Sequence, residues 1–304
     1  MASQFPGEAR LPQLRTHKVR LADGGVTLCF EIPSADTSSP LVIMGHGMGG
    51  CSHSGYMKRI GKKLNDHGFP VFLLNQRGSG AGIGMSERLW NGGSSDDFSD
   101  MVEHAMKIYP KREVLLIGFS LSGNILLKYL GEGREISRWV RGAFAVNPPV
   151  DLKMASRLIS TSSKCKLFNR YYMRLINQQA EAIKECFAES FRLDHLPRTI
   201  WEFDVSYTAP AGGFEDVDDY YTRSSCGQFL ASIQIPTTLL CSNDDPFIPI
   251  EIFKGLELSH ALDLQTPEGG GHMGYLCKET TPFDDHRWMD WAIIDWAMQR
   301  KTPL

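Results

Sequence analysis

Residues 41–44, 70–74, 113–118, 140–146 and 237–241 form five short, mostly apolar runs, each separated from the next by enough chain to hold a helix. Runs of this length are too short to make a helix with a core face. They also lack the polar alternation of a strand that has one face in water. Such runs become strands buried on both faces, and intervening helices make those strands run parallel with helices covering both sides. The chain is therefore expected to be an α/β protein with a mostly parallel central sheet. Two earlier β-type runs, 16–21 and 26–32, are joined by Asp23, Gly24 and Gly25, which is the turn chemistry of an antiparallel hairpin. A last short strand is expected at 262–265.

The pattern predicts helices at 54–67, at 94–109, from Ser120 through Leu130, and at 284–300. Ser94 and Ser95 are read as caps of the second, with Asp96, Asp97 and Asp100 as acids at its positive end. Between 150 and 235 the alternation breaks. Tyr172, Ile176, Ala180, Ile183 and Phe187 recur at helical spacing, and the aromatic stretch after them shows no clear period. Aromatics at 201–222 can face either a substrate or a partner chain. An insertion between parallel strands sits over their carboxyl ends, where crevices form. The expected division is a core of 1–149 and 236–304, with a helical cap at 150–235.

The third run leads into Gly118-Phe119-Ser120-Leu121-Ser122-Gly123. A nucleophilic serine between strand and helix needs a sharp turn with small neighbours, because the two elements approach closely there. Gly118, Ser122 and Gly123 supply that smallness, although Ser122 stands where the usual pattern has glycine. Alone, the stretch reads equally well as a helix-capping serine. Downstream, however, the chain carries an acid and then a histidine, in the order Ser, Asp, His. Asp245, which precedes Pro246 and lies four residues before Pro249 in a turn that can hold its carboxylate rigidly, is the expected acid, and Asp244 is the alternative. His272 follows three glycines that give its loop room to reach the serine. The glycine-rich turn after the first parallel strand, with Gly47, Gly49 and Gly50, frees the Met48 amide to join the Leu121 amide as an oxyanion donor pair.

Several other classes are disfavoured. A net charge of −3 gives no general attraction to nucleic acid or an anionic membrane. No apolar run is long enough for a membrane span, and residues 1–20 lack the apolar core of a signal peptide. The seven cysteines show no metal-site spacing, and scattered thiols fit a cytoplasmic protein. His46 and His53 have no partner at ligand spacing, so no metal is expected. Arg77-Gly78 reads as a turn under the sheet edge. Gly45, Gly47 and Gly50 spell a dinucleotide-binding G-x-G-x-x-G, but the next strand ends in Asn75-Gln76-Arg77 instead of a ribose-binding acid.

The segments HGMGG (46–50), NQRGSG (75–80), GFSLSGNILLKYLGEG (118–133), NPPVDL (147–152), FEDVDDYYTRSS (214–225), DDPFIP (244–249) and GGHMGY (270–275) resemble the α/β-hydrolases, in particular their YheT-like branch. The resemblance implies hydrolysis of small-molecule carboxylic esters, often of short to medium acyl chain, with no cofactor. Some members of that branch act on phospholipids, and some pass the acyl group to an alcohol. Three other readings compete: an acyltransferase on the same triad, a non-catalytic binding protein with this fold, and a nicotinamide-dependent oxidoreductase.

Overall fold

The computed structural model describes residues 11–301 apart from 190, 192 and 194, so the outermost residues of the expected core and these three of the expected cap lie outside the described residues. The hairpin forms from β1 (Arg15–Arg20) and β2 (Val26–Ile32). β3 (Leu41–Gly45), α1 (Gly55–Asp66), β4 (Val71–Leu73), α2 (Ser95–Ile108), β5 (Val114–Phe119), α3 (Leu121–Gly131) and β6 (Val140–Val146) follow. The eight-stranded sheet has the order β1-β2-β4-β3-β5-β6-β7-β8, closed by β7 (Thr237–Leu240) and β8 (Leu262–Gln265). Only the pairings of β2 with β1 and β4 are antiparallel; every other neighbouring pair is parallel.

Both faces of the central strands are dry. Leu41 and Ile43 pack towards α2 and α3 with Phe98, Met101 and Ile125. Val42 and Met44 turn to the other face, against Tyr56 and Ile60 of α1 and Ile293 of the last helix. This two-sided burial explains the unbroken apolar runs, since each leucine or isoleucine so buried contributes about 1.5–3 kcal/mol. The last helix, α9, covers Trp288–Met298, starting four residues later than the pattern predicts. Asp284 has φ 56°, and Leu276 and Arg287 form a bridge, so the chain there is committed to a turn and a short extended pairing.

Between β6 and β7 lie α4 (Leu152–Thr161), α5 (Lys166–Cys186), α6 (Ile200–Phe203), a π-helical turn over Asp204–Thr208, α7 (Ala209–Ala211) and α8 (Val217–Ser224). Met173, Ile176, Ala180 and Ile183 form the buried face of α5. The aromatic stretch that shows no clear period is therefore mostly helical. Its wide turn at 204–208 adds residues per turn, which breaks the 3.6-residue register that a periodicity reading relies on.

One local expectation needs correction and another needs extending. Ser94 holds the N-cap position of α2, but its side chain makes no cap; its Oγ accepts from the Asn91 amide at 3.1 Å. Arg77 is more than part of a turn. Its buried guanidinium donates to Asp97 at 2.6 Å and pairs with Asp23 at 2.8 Å, tying the β1–β2 turn to the start of α2. Asp97 is thus an ion-pair partner as well as a helix N-terminal acid. Among the described residues, no helix is long and apolar enough to cross a membrane.

Candidate active site

The carboxyl ends of β3 and β5 lie side by side, with Gly45 paired in register to Gly118. The loops leaving these two strands therefore start as neighbours, which brings the glycine-rich turn at 46–50 against the turn at Ser120. A Cβ on Gly118 would sit 2.5 Å from the Ser122 carbonyl oxygen and 2.9 Å from Gly123 N, so the strand–helix turn closes only with glycine there. Ser120 itself has φ 48° and ψ −114°, an uncommon conformation for a residue other than glycine. Its amide is fixed by a 2.7 Å bond to the Val146 carbonyl on the adjoining strand.

Ser120 occupies the N-cap position of α3, yet its hydroxyl makes no cap bond. Ser120 Oγ lies 3.0 Å from His272 Nε2, and His272 Nδ1 lies 2.8 Å from Asp245 Oδ2. Asp245 cannot donate when ionised, so Nδ1 carries the proton and Nε2 is left to accept from the serine. All three side chains are buried. Asp245 is held from several directions: its Oδ1 accepts from the amides of Phe247 and Ile248 at 3.1 and 3.0 Å, and its Oδ2 also accepts from Asn147 Nδ2 at 2.6 Å. Asp244 points elsewhere and accepts from the Gly271 amide at 2.7 Å, holding the histidine loop and not the imidazole.

Asn147 was not singled out on its own in the sequence. It follows β6 with φ 44°, and its Oδ1 accepts from Tyr275 Oη at 2.8 Å. It thereby links the loop of Asp245 to the loop of His272. An asparagine ahead of two prolines at a strand end is the signal that marks such a turn.

Neither the Met48 amide nor the Leu121 amide donates to a protein acceptor among the described residues. The Gly47 amide, by contrast, donates to Tyr56 Oη at 2.7 Å. The turn bearing Met48 rests on His46, whose Nδ1 donates to the Gly47 carbonyl at 2.8 Å while Nε2 accepts from the Gln76 amide at 3.1 Å. That pattern requires a neutral ring, and burial pushes the His46 pKa down to about 4. A histidine with a depressed folded value adds stability above its unfolded pKa and loses it as pH falls. Between pH ~6.5 and ~4 the site should therefore lose about 3 kcal/mol of folding free energy. Urea unfolding of wild type and His46→Gln at both ends of that window checks this: the variant should show a pH dependence smaller by about that amount, and equal slopes would contradict it.

Ser122 is built in. Its Oγ donates to the His46 carbonyl at 2.5 Å and accepts from Gln76 Nε2 at 2.7 Å, so its hydroxyl ties the helix side of the elbow to the glycine-rich turn. Space for it comes from Gly45, where a Cβ would lie 2.9 Å from the Ser122 Cβ. This accounts for Gly45 without a dinucleotide. The loop after β3 also opens no helix directly, since α1 begins only at Gly55.

Two clefts meet at Ser120. One is lined by His272, Tyr56, Phe168, Tyr171 and Tyr172, and the other by Leu121, Leu152, Ile159, Ile200, Tyr220 and Phe247; Met48 borders both. Residues 152–221 thus supply much of the wall of each. A match to the α/β hydrolase fold family spans residues 40–278. The chain belongs to the α/β-hydrolase fold family. Relatives of this hydrolase-fold chain include protein abhd-3.2 of Caenorhabditis elegans, 30% identical over 79% of this chain and 65% of its own. Phospholipase ABHD3 of Homo sapiens is 26% identical over 87% and 67%, respectively. YheT of Escherichia coli strain K12 is 25% identical over 92% and 83%. The chain spans about two thirds of the length of the first two.

Proposed function

We propose that this protein is a serine hydrolase that cleaves carboxylic esters of short to medium acyl chain through an acyl-enzyme. The observation that carries this reading is the hydrogen-bonded series Ser120–His272–Asp245 beside two amides with no protein acceptor among the described residues. Ser120 Oγ attacks the ester carbonyl as His272 Nε2 takes its proton, and Asp245 stabilises the imidazolium. The Met48 and Leu121 amides receive the oxyanion, each worth about 2.7–4 kcal/mol in the transition state. His272 then protonates the leaving alcohol, and water releases the acid by the same route in reverse.

Because the leaving oxygen must meet His272 Nε2, the cleft bordered by His272 takes the alcohol. The apolar cleft beyond Leu121 takes the acyl chain. Residues 150–235 act as the cap that closes over both. The human relative is named a phospholipase and the bacterial one an esterase, and both names support ester hydrolysis. Hydrolysis of p-nitrophenyl esters from two to sixteen carbons tests the reading: activity should peak at short to medium chains. A steady decline from the acetyl ester would contradict an apolar acyl cleft. A new ester appearing when an alcohol is added would mark acyl transfer instead.

A further inference from the structure

The acyl cleft carries one carboxylate among its described lining residues, Asp204, in a wall otherwise built largely from Trp90, Leu121, Leu152, Ile159 and Phe247. Asp204 opens the π-helical turn, a kind of turn found frequently at functional sites. Its Oδ2 accepts from Tyr221 Oη at 2.7 Å, and that phenol oxygen lies 2.8 Å from Ser156 Oγ. A phenol has one proton, which goes to the carboxylate as the stronger acceptor, so Ser156 donates to the phenol oxygen. No cation pairs with Asp204 among the described residues. Burial pushes its carboxyl up to about 6.

A buried carboxylate without a counter-ion is costly, and an alkyl chain laid against it adds to the desolvation. A chain that brings a hydroxyl supplies a donor instead. We infer that Asp204 is a specificity-determining residue: with Tyr221 and Ser156 it receives a hydroxyl carried on the acyl chain, so hydroxyacyl esters are preferred over alkyl esters of equal length. This rests on the ester-hydrolase reading and on the acyl chain occupying this cleft.

The test compares kcat/KM for p-nitrophenyl ω-hydroxyalkanoates and matched alkanoates from four to ten carbons, in wild type, Asp204→Asn and Asp204→Leu. Wild type should favour the hydroxylated ester at one or more lengths by about tenfold or more, the scale of a hydrogen bond to a charged group. Asp204→Leu should abolish that preference while still cleaving alkyl esters, and Asp204→Asn, which keeps an acceptor, should retain part of it. Asp204→Asn also keeps the test open should the leucine variant fail to fold. Calorimetric titration of Ser120→Ala with methyl 6-hydroxyhexanoate and methyl heptanoate reads the same preference without turnover. A wild type that cleaves both series without preference, or a preference that survives in Asp204→Leu, overturns the role of Asp204 alone. A wild type that cleaves neither series overturns the ester reading beneath it.

Discussion

Replacing Ser120 with alanine is expected to lower ester turnover by about 10⁴-fold or more, with KM changed little. The reason is local. On the proposed mechanism, the substitution removes the attacking oxygen but leaves the Met48 and Leu121 amides, the clefts and the His272–Asp245 bond in place. Substrate should still bind and the carbonyl should still be polarised, so the residual rate should stay about 10³–10⁴-fold above the reaction in water. Because Ser120 makes no cap bond to α3, the alanine variant should melt close to wild type. Steady-state kinetics with a p-nitrophenyl ester of short chain, alongside a thermal melt, check both halves. A stable Ser120→Ala protein within tenfold of wild type would move the nucleophile elsewhere.

The second large effect separates two adjacent acids. Asp245→Asn is expected to lower kcat by roughly 10³–10⁴-fold, because an amide facing Nδ1 can donate to it and so favours the tautomer whose Nε2 carries the proton. That Nε2 can no longer accept from Ser120. The same change would also set an amide against Asn147 Nδ2, which lies 2.6 Å from Asp245 Oδ2. Asp244→Asn keeps an acceptor for the Gly271 amide and should cost less than about tenfold, the range of an adjustment in loop position. Comparable losses in the two variants would show that the histidine loop, and not the imidazole tautomer, sets the rate.

The core was legible in the sequence because parallel strands buried on both faces leave a mark that few other structures leave. The runs of β3, β5, β6 and β7 lie within a residue or so of where their apolar content places them. The order and turn chemistry around Ser120, Asp245 and His272 were legible for a related reason: a side chain aimed from a loop end needs glycine or proline beside it. What stayed hidden depends on contacts between distant residues. Gln76 and His46 read as a polar strand end and a lone histidine, and only the adjacency of β3, β4 and β5 joins them to Ser122. Asn147 has no recognisable role until Asp245 is folded back over it. The segment at 200–211 defeated periodicity because a π turn shifts its faces partway along, and the start of α9 was lost to a turn that apolar spacing does not register.

The most direct measurement is mass-spectrometric mapping of the adduct left by a fluorophosphonate probe, on wild type and on Ser120→Ala. If Ser120 is the nucleophile, the wild type carries one adduct, on the peptide that contains Ser120. The alanine variant carries none, and His272→Ala reacts far more slowly. An adduct on another residue, or labelling of Ser120→Ala at the wild-type rate, would contradict it.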